Sequence, residues 1–574
     1  MKKKMTCILA LALAFLLLTA CSGAGQDAPT SAPTAAPDTA KPTDGGSAPA
    51  TSEPAQTPAE TGPKHVELLR IGTDRANDTF NLTTQGGAFG VMNYNSFVAG
   101  LLWERDEFGK PQPGAIKSYS ISEDNRSITI VLPEDLYWHD GLQVTSDDII
   151  FTFEYSRDVL LSSKLQDIVL TREGDYQATI TFPEGQSAFA YVNGQTSWQK
   201  IYPKHIWENV DNNKEYTGED RVIGCGPYRF VSMDEDAQLA TYEAVDYYWK
   251  GEILVDKVTV KTYASQEAEI MALRNNEIDA IYNYSNPIAA TLFATVEGDP
   301  NCDLGVSPDP GNYMIMFGYN EAPTNDYAFR EAVTLALNYD LFGQTIYGPY
   351  YSIPTKGVIP SPNMGYDSSL PQMKYDPEAA KAVLEQAGYV DRDGDGFRED
   401  PDGQPLDVLI TPQNNKSRAE LLTRIAAVIG DNLAKVGVKT TLDEESLTSR
   451  EAWSARSENG GTYQIYIGYC TAGIASYIGA PMYIVNYTET GWWGTWQDPD
   501  FMTAYNNVRA SSSFEEYEDS MHRLQQVIAE QLPAVSFAFG TSSFPYRTDK
   551  IEGWINFPGW GVINPKTWYT ARAK

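Results

Sequence analysis

Along residues 64–574 the apolar positions switch repeatedly between a period of two and a period near 3.6, and that alternation predicts an α/β protein. Residues 66–72 and 127–132 carry the strand pattern, the second with strict alternation at its start. A helix is predicted to open at Thr145, a candidate N-cap. Asp147 and Asp148 fall in its first turn, where the helix dipole favours negative charge, and Ile150 and Phe153 continue one face. Amphipathic helices are expected over 265–276 and 326–337, the second with Phe329, Ala332, Val333 and Ala336 on one side, and a strand over 277–281. The clearest helix is 376–388, with Asp376 as N-cap, Pro377 as first helical residue and Gly388 as the stop. A strand at 406–411, a long helix at 417–437 and a strand at 438–442 follow. No segment repeats at a fixed period, which argues against an array of adhesive modules.

The first 63 residues follow different rules. Lys2, Lys3 and Lys4 precede an uncharged apolar run, 7–18, and small residues then lead to Cys21. This order is that of a secretory signal, and the run is short for a bilayer span. The tetrad Leu18, Thr19, Ala20 and Cys21 resembles the bacterial lipobox, which implies lipid on Cys21 and anchoring on the outer face of the cell membrane. Several acyl chains hold a protein on a membrane durably, whereas one does not. Residues 22–63 are Ser, Gly, Ala, Pro and Thr with scattered acids, too poor in apolar surface to offset their ordering entropy, and are expected to be a disordered tether. Such a tether spans roughly 35 Å as a coil and about 130 Å as polyproline II.

The remainder is too long for one hydrophobic core and predicts about two to four structural units. A formal net charge of −33 excludes a nucleic-acid partner, which demands a basic face. Three cysteines, Cys225, Cys302 and Cys470, remain in the body, where one disulfide with a free thiol and three buried thiols are both open readings. Enzyme chemistry finds little support. There is no Gly-x-Ser-x-Gly and no His-Glu-x-x-His, and the histidines are only His65, His139, His205 and His522. Paired carboxylates in a secreted hydrolase are the remaining enzymatic alternative.

Six blocks in order resemble the family 5 extracellular solute-binding proteins, the oligopeptide-, dipeptide- and nickel-binding subunits of ABC importers. They are YWHDGLQVTSDD at 137–148, GCGPY at 224–228, DYYWKG at 246–251, LVDKV at 254–258, NNEID at 275–279, and FREAV with LNYD at 329–340. The resemblance implies a three-lobed, periplasmic-binding-protein-like fold of the class II or cluster C type, with a ligand cleft between lobes. By analogy, 64–107, 224–308 and 535–574 form the first lobe, 108–223 the second and 309–534 the third. It implies a binding protein and not an enzyme. A small solute (peptide, sugar or metal chelate) would be captured by hinge closure and passed to separate permease and ATPase subunits, the chain acting as a monomer without a cofactor. Within the matching blocks, Trp138, His139 and Asp140 lack the ligand count of a metal site and read as a turn, and the glycines of GCGPY read as serving a tight turn.

In the peptide-binding members an aspartate of the third lobe pairs with the ligand's amine. The matching stretch here, Tyr469, Cys470, Thr471 and Ala472, has alanine at that position. This departure favours an oligosaccharide or a capped or atypical peptide over an ordinary peptide. Trp492, Trp493 and Trp496 lie beside it and offer aromatic faces, against the plainer reading of core packing. The expected ligand-binding residues are therefore Thr84, Gln85, Gly86, Tyr469, Cys470, Thr471, Ala472, Trp492, Trp493 and Trp496. A structural calcium site is a separate candidate in DRDGDGFRED, with Asp391, Asp393, Asp395, Glu399 and Asp402 as ligands, against the plainer reading of an acidic surface turn.

Overall fold

The computed structural model describes residues 63–574 except 77–79, 84–89, 91, 93–96, 196–197, 284–285, 362, 416–417, 458–460, 472–495 and 497. Cys21 and the tether lie outside the described residues, as do Thr84, Gln85, Gly86, Ala472, Trp492 and Trp493.

The largest sheet has seven strands, in the order Cys302–Asp303, Tyr546–Arg547, Ala280–Ile281, Leu69–Thr73, Lys257–Thr262, Leu239–Ala244 and Tyr228–Asp234. Its three middle strands are parallel: Leu69–Thr73 runs with Lys257–Thr262 on one side and Ala280–Ile281 on the other. The helix Gln266–Arg274, capped by Ser265 Oγ accepting from Ala268 N, makes the crossover between the outer two. A four-stranded antiparallel sheet orders Ser118–Ile121, Ser127–Val131, Gln177–Thr181 and Val169–Arg172. One continuous apolar cluster joins Ile128, Ile130, Ala178 and Ile180 of this sheet to Leu69, Ile71, Val258 and Val260 of the first.

A five-stranded sheet orders Lys439–Leu442, Asp407–Pro412, Ile465–Thr471, Gly311–Phe317 and Ala534–Ser536. Its strand Gly311–Phe317 is buried along its whole length because both faces are covered. Tyr313, Ile315 and Phe317 join Ile465, Ile467 and Tyr469 against the helices Tyr327–Ala336 and Ala419–Ala434. Met314, Met316, Tyr466 and Cys470 face the other way, against Pro499–Ala510 and Phe514–Gln531. The alternation of successive side chains thus assigns the two faces, and continuous hydrophobicity marks a central strand.

The helix Pro377–Gln386 begins as its sequence dictates: Asp376 Oδ1 accepts from Ala379 N at 3.1 Å, Pro377 is the first helical residue, and Gly388 takes φ +89° after the end. Ser146–Asp158 follows Thr145, with the Asp148 carboxylate accepting from Thr145 N at 2.9 Å. The predicted strand at 277–281 shortens to Ala280–Ile281. Among the described residues no helix is long and apolar enough to cross a membrane. Among the described residues Cys225, Cys302 and Cys470 form no disulfide.

The reading of GCGPY changes in its physical reason. Neither Gly224 nor Gly226 has a positive φ. Each is needed because backbone passes too close for a side chain: a Cβ would lie 2.1 Å from Val98 O at Gly224 and 2.7 Å from it at Gly226. His139 of the preceding block locks onto the same segment. Its N donates to Gly224 O at 3.0 Å, its Nε2 donates to Gly226 O at 3.0 Å, and Gly224 N reaches Nδ1 at 3.4 Å. Both ring nitrogens are engaged, and burial pushes the imidazole down to about 4, so it stays neutral at physiological pH. The two motifs far apart in sequence form one clamp.

Candidate ligand-binding site

The chain passes twice between the seven-stranded and five-stranded sheets. Val306–Pro308 leads from Cys302–Asp303 into Gly311–Phe317, and Phe539–Ser543 leads back from Ala534–Ser536 towards Tyr546–Arg547. The two passages pair antiparallel, Val306 opposite Ser543, Ser307 opposite Ser542 and Pro308 opposite Thr541. A hydrogen-bonded ribbon of two strands bends as a unit, which is the local geometry of a hinge.

Asp309 sits where the first passage enters the five-stranded sheet. Its N donates to Gly540 O at 3.0 Å, tying it to the returning passage. Its carboxylate is 3% exposed and accepts from Tyr469 Oη at 2.8 Å and from Gly311 N at 2.9 Å. Two glycines make room. A Cβ on Gly311 would lie 2.5 Å from Tyr469 Oη, and one on Gly540 would lie 2.2 Å from the Tyr347 ring. Tyr469 packs on Tyr313 with centroids 5.0 Å apart, Tyr313 packs on Tyr347 at 6.4 Å, and the Arg418 guanidinium lies 4.1 Å over the Tyr469 ring. Burial pushes the Asp309 carboxyl up to about 6; the hydrogen bonds from Gly311 and Tyr469 and the Arg418 charge hold it lower than burial alone would. Burial likewise keeps the phenols of Tyr313, Tyr347 and Tyr469 protonated.

Tyr469 therefore belongs to a polar, aromatic cluster at the junction of the two sheets. Cys470, next on the strand, points to the opposite face and is buried with Met314, Met316 and Tyr466. Trp496 is in that same apolar cluster, against Phe501 at 4.8 Å and Tyr319 at 6.2 Å. Thr471 ends the strand. The structure thus separates Tyr469 from Cys470 and Trp496, as strand alternation demands. Asp309 and Arg418 carry no motif; a lone Asp beside Pro308 and Pro310 reads as a turn residue, and only the tertiary fold brings it to Tyr469.

The segment leading to Thr84 is held by polar contacts. Lys200, 1% exposed, donates from Nζ to Leu82 O at 2.7 Å. Asn81 Oδ1 accepts from Thr83 N at 2.8 Å, and Asn81 Nδ2 donates to Asn213 O at 2.7 Å. Burial pushes the Lys200 ammonium down to about 7.

At the acidic loop, oxygens of Asp391, Asp393 and Asp395 lie within 4.8 Å of one another, on exposed residues. Asp391 already accepts from Gly394 N at 2.7 Å and Gly396 N at 3.0 Å. Glu399 does not join the group: Oε2 accepts from Arg392 N at 2.7 Å. Nor does Asp402. Three of the five expected calcium ligands are brought together, fewer than the six to eight oxygens calcium takes.

Comparison with known proteins accords with this architecture. The oligopeptide-binding protein AppA of Bacillus subtilis is 25% identical over 464 residues, covering 77% of this chain and 80% of AppA. The solved structure of that protein in complex with a nonapeptide covers 89% of this chain and 100% of its own, with a TM-score of 0.68 at 19% identity. A mannohexaose-bound periplasmic oligopeptide-binding protein of an ABC transporter from Thermotoga maritima covers 88% of this chain and 99% of its own, with a TM-score of 0.66 at 19% identity. The family described as Bacterial extracellular solute-binding proteins, family 5 Middle, matches residues 110–500. The fold is accordingly periplasmic-binding-protein-like, and the chain belongs to the family 5 extracellular solute-binding proteins, which are extracytoplasmic, non-enzymatic components of transporters.

Proposed function

We propose that this chain is the capture subunit of an ABC importer for an oligopeptide or related solute, tethered to the outer face of the membrane through lipid on Cys21. The observation that carries the reading is the paired crossing, Val306–Pro308 against Phe539–Ser543, which supports hinge closure between two α/β bodies. On this reading 64–107, 224–308 and 535–574 make the first lobe, 108–223 the second and 309–534 the third. Solute enters between lobes, closure expels water, and the closed form docks on the permease, which delivers the solute inward. Tyr469, three residues before Ala472 in sequence, belongs to the hinge cluster with Asp309 and Arg418, so ligand contacts at Tyr469 and 471–472 would act on the hinge through Asp309. Trp492, Trp493 and the Thr84–Gly86 segment complete the ligand set.

A relative described as oligopeptide-binding and the Thermotoga protein holding mannohexaose bracket the ligand classes. The test is thermal shift of the purified chain from Ser22 onward against short peptides, oligosaccharides and nickel chelates. A ligand that binds only the folded form raises Tm, by about 2.7 kcal/mol of stabilisation at one hundred times Kd. A shift with peptides or sugars is expected; none with any class defeats the assignment of the ligand.

A further inference from the structure

The carboxyl ends of the three parallel strands in the seven-stranded sheet carry a second polar cluster. Asp74 follows Leu69–Thr73, Tyr263 follows Lys257–Thr262, and Asn283 comes two residues after Ala280–Ile281. Glu269 joins them from the crossover helix Gln266–Arg274. In α/β sheets, ligands bind outside the carboxyl ends of such strands.

Two carboxylates are anchored there by one oxygen each. Asn283 bridges them: its Nδ2 donates to Glu269 Oε2 at 2.7 Å, and its Oδ1 accepts from Asp74 N at 2.7 Å. Asn286 Nδ2 donates to Asp74 Oδ2 at 2.6 Å. The other oxygens, Glu269 Oε1 and Asp74 Oδ1, are buried and have no hydrogen-bond donor, and neither has the hydroxyl of Tyr263. The Arg75 guanidinium stands 4.0 Å from Asp74 Oδ1, beyond hydrogen-bond reach. Glu269 is fully buried, whereas the Asp74 side chain is 22% exposed, so the cluster opens at Asp74. Burial drives the Glu269 carboxyl up to about 8; the Asn283 hydrogen bond opposes this and the Asp74 charge adds to it. A buried carboxyl left with an empty acceptor costs its desolvation, and the Asp74 charge acts on Glu269 in the same direction as burial.

We propose that Asp74 and Glu269 form a subsite for a primary ammonium group, so that the captured solute carries a free amine. This rests on the capture function proposed above. An ammonium has one positive charge and three N–H donors on a compact centre. The spare acceptors are Asp74 Oδ1, Glu269 Oε1 and the Tyr263 hydroxyl, and an ammonium charge beside them favours release of the proton that Glu269 holds below about 8. A divalent metal fits worse, since calcium asks for six to eight oxygens and the asparagine amides here present N–H to the carboxylates.

The test uses two probe pairs that differ only by acetylation: tetra-alanine and its N-acetyl form, and the tetramers of glucosamine and of N-acetylglucosamine. Each is titrated calorimetrically into the wild-type chain, Glu269→Gln and Asp74→Asn, with calcium and manganese as separate arms. In the class that binds, the free-amine member is expected to win by at least tenfold. Both variants should lose that advantage while the acetylated member binds unchanged and Tm does not fall. Sugar binding without peptide binding leaves the subsite standing and removes only the peptide reading. Equal binding of both members, no binding by either free-amine probe, an advantage that persists in both variants, or a shift with calcium or manganese that Glu269→Gln abolishes would each overturn the proposal.

Discussion

Replacing Asp309 with asparagine tests whether the junction between the sheets holds a costly buried charge or a stabilising ion pair. The carboxyl is raised from 3.8 to about 6, chiefly by burial. Between those two values the folded state keeps a proton that the unfolded state has released, so stability falls as pH rises through the window. Two pKa units correspond to about 3 kcal/mol, lost in full above pH 6. The asparagine amide keeps an oxygen for Tyr469 Oη and Gly311 N, and the charge assistance lost from those bonds is already contained in the net value of about 6. The variant should therefore be more stable than wild type by up to about 3 kcal/mol at pH 7.5, and no more stable at pH 4. Differential scanning fluorimetry of both proteins across pH 4 to 8 reads the difference directly, and its growth with pH matters more than its absolute size. A variant that loses more stability at pH 7.5 than at pH 4 would refute the reasoning. It would mean that Arg418 pairs with Asp309 strongly enough to pull its pKa below the ordinary value.

Other expectations follow from the same contacts. Gly540→Ala drives a methyl to 2.2 Å from the Tyr347 ring and should cost about 1–3 kcal/mol, read as a lowered Tm. Lys200 is lowered from 10.5 to about 7, so the wild type should gain stability as pH rises from 7 towards 10.5; Lys200→Met should lack that gain when Tm is compared at pH 6.5 and 9. Cys21→Ala should abolish palmitate labelling and release the protein from the membrane fraction into the medium; retention in the membrane would remove the lipid-anchor reading.

The regular elements were legible wherever local chemistry and burial agreed. Asp376, Pro377 and Gly388 define their helix without tertiary help, and the strand beginning at Ser127 alternates because one face is solvated. The strand expected at 277–281 shrank to two residues because Asp279 is used differently: it accepts from Arg70 N at 2.9 Å and from Arg70 Nη2 at 2.6 Å. The site was harder to read. A run such as Tyr469–Cys470 names two adjacent residues, but the pleat sends them to opposite cores, which a motif does not reveal. Asp309 and Glu269 gave no signal at all, because an acid reads as surface until its tertiary neighbours are known. Glu269 even occupies the first turn of its helix, where a carboxylate is favoured on dipole grounds alone.

The acidity of the whole chain bears on how an amine preference must be interpreted. A net charge of −33 draws any cation towards the surface and raises its association rate, so a bare advantage of free-amine probes does not by itself identify Glu269. Ionic strength separates the two sources. Long-range attraction is screened over about 8 Å at 0.15 M and about 3 Å at 1 M, whereas a contact with a fully buried oxygen is screened little. Raising salt should therefore slow association of free-amine probes equally in wild type and Glu269→Gln. The equilibrium ratio between acetylated and free probes should hold within about twofold in the wild type. A ratio that collapses towards one at high salt would assign the preference to the acidic surface as a whole and leave the buried carboxylates with a structural role.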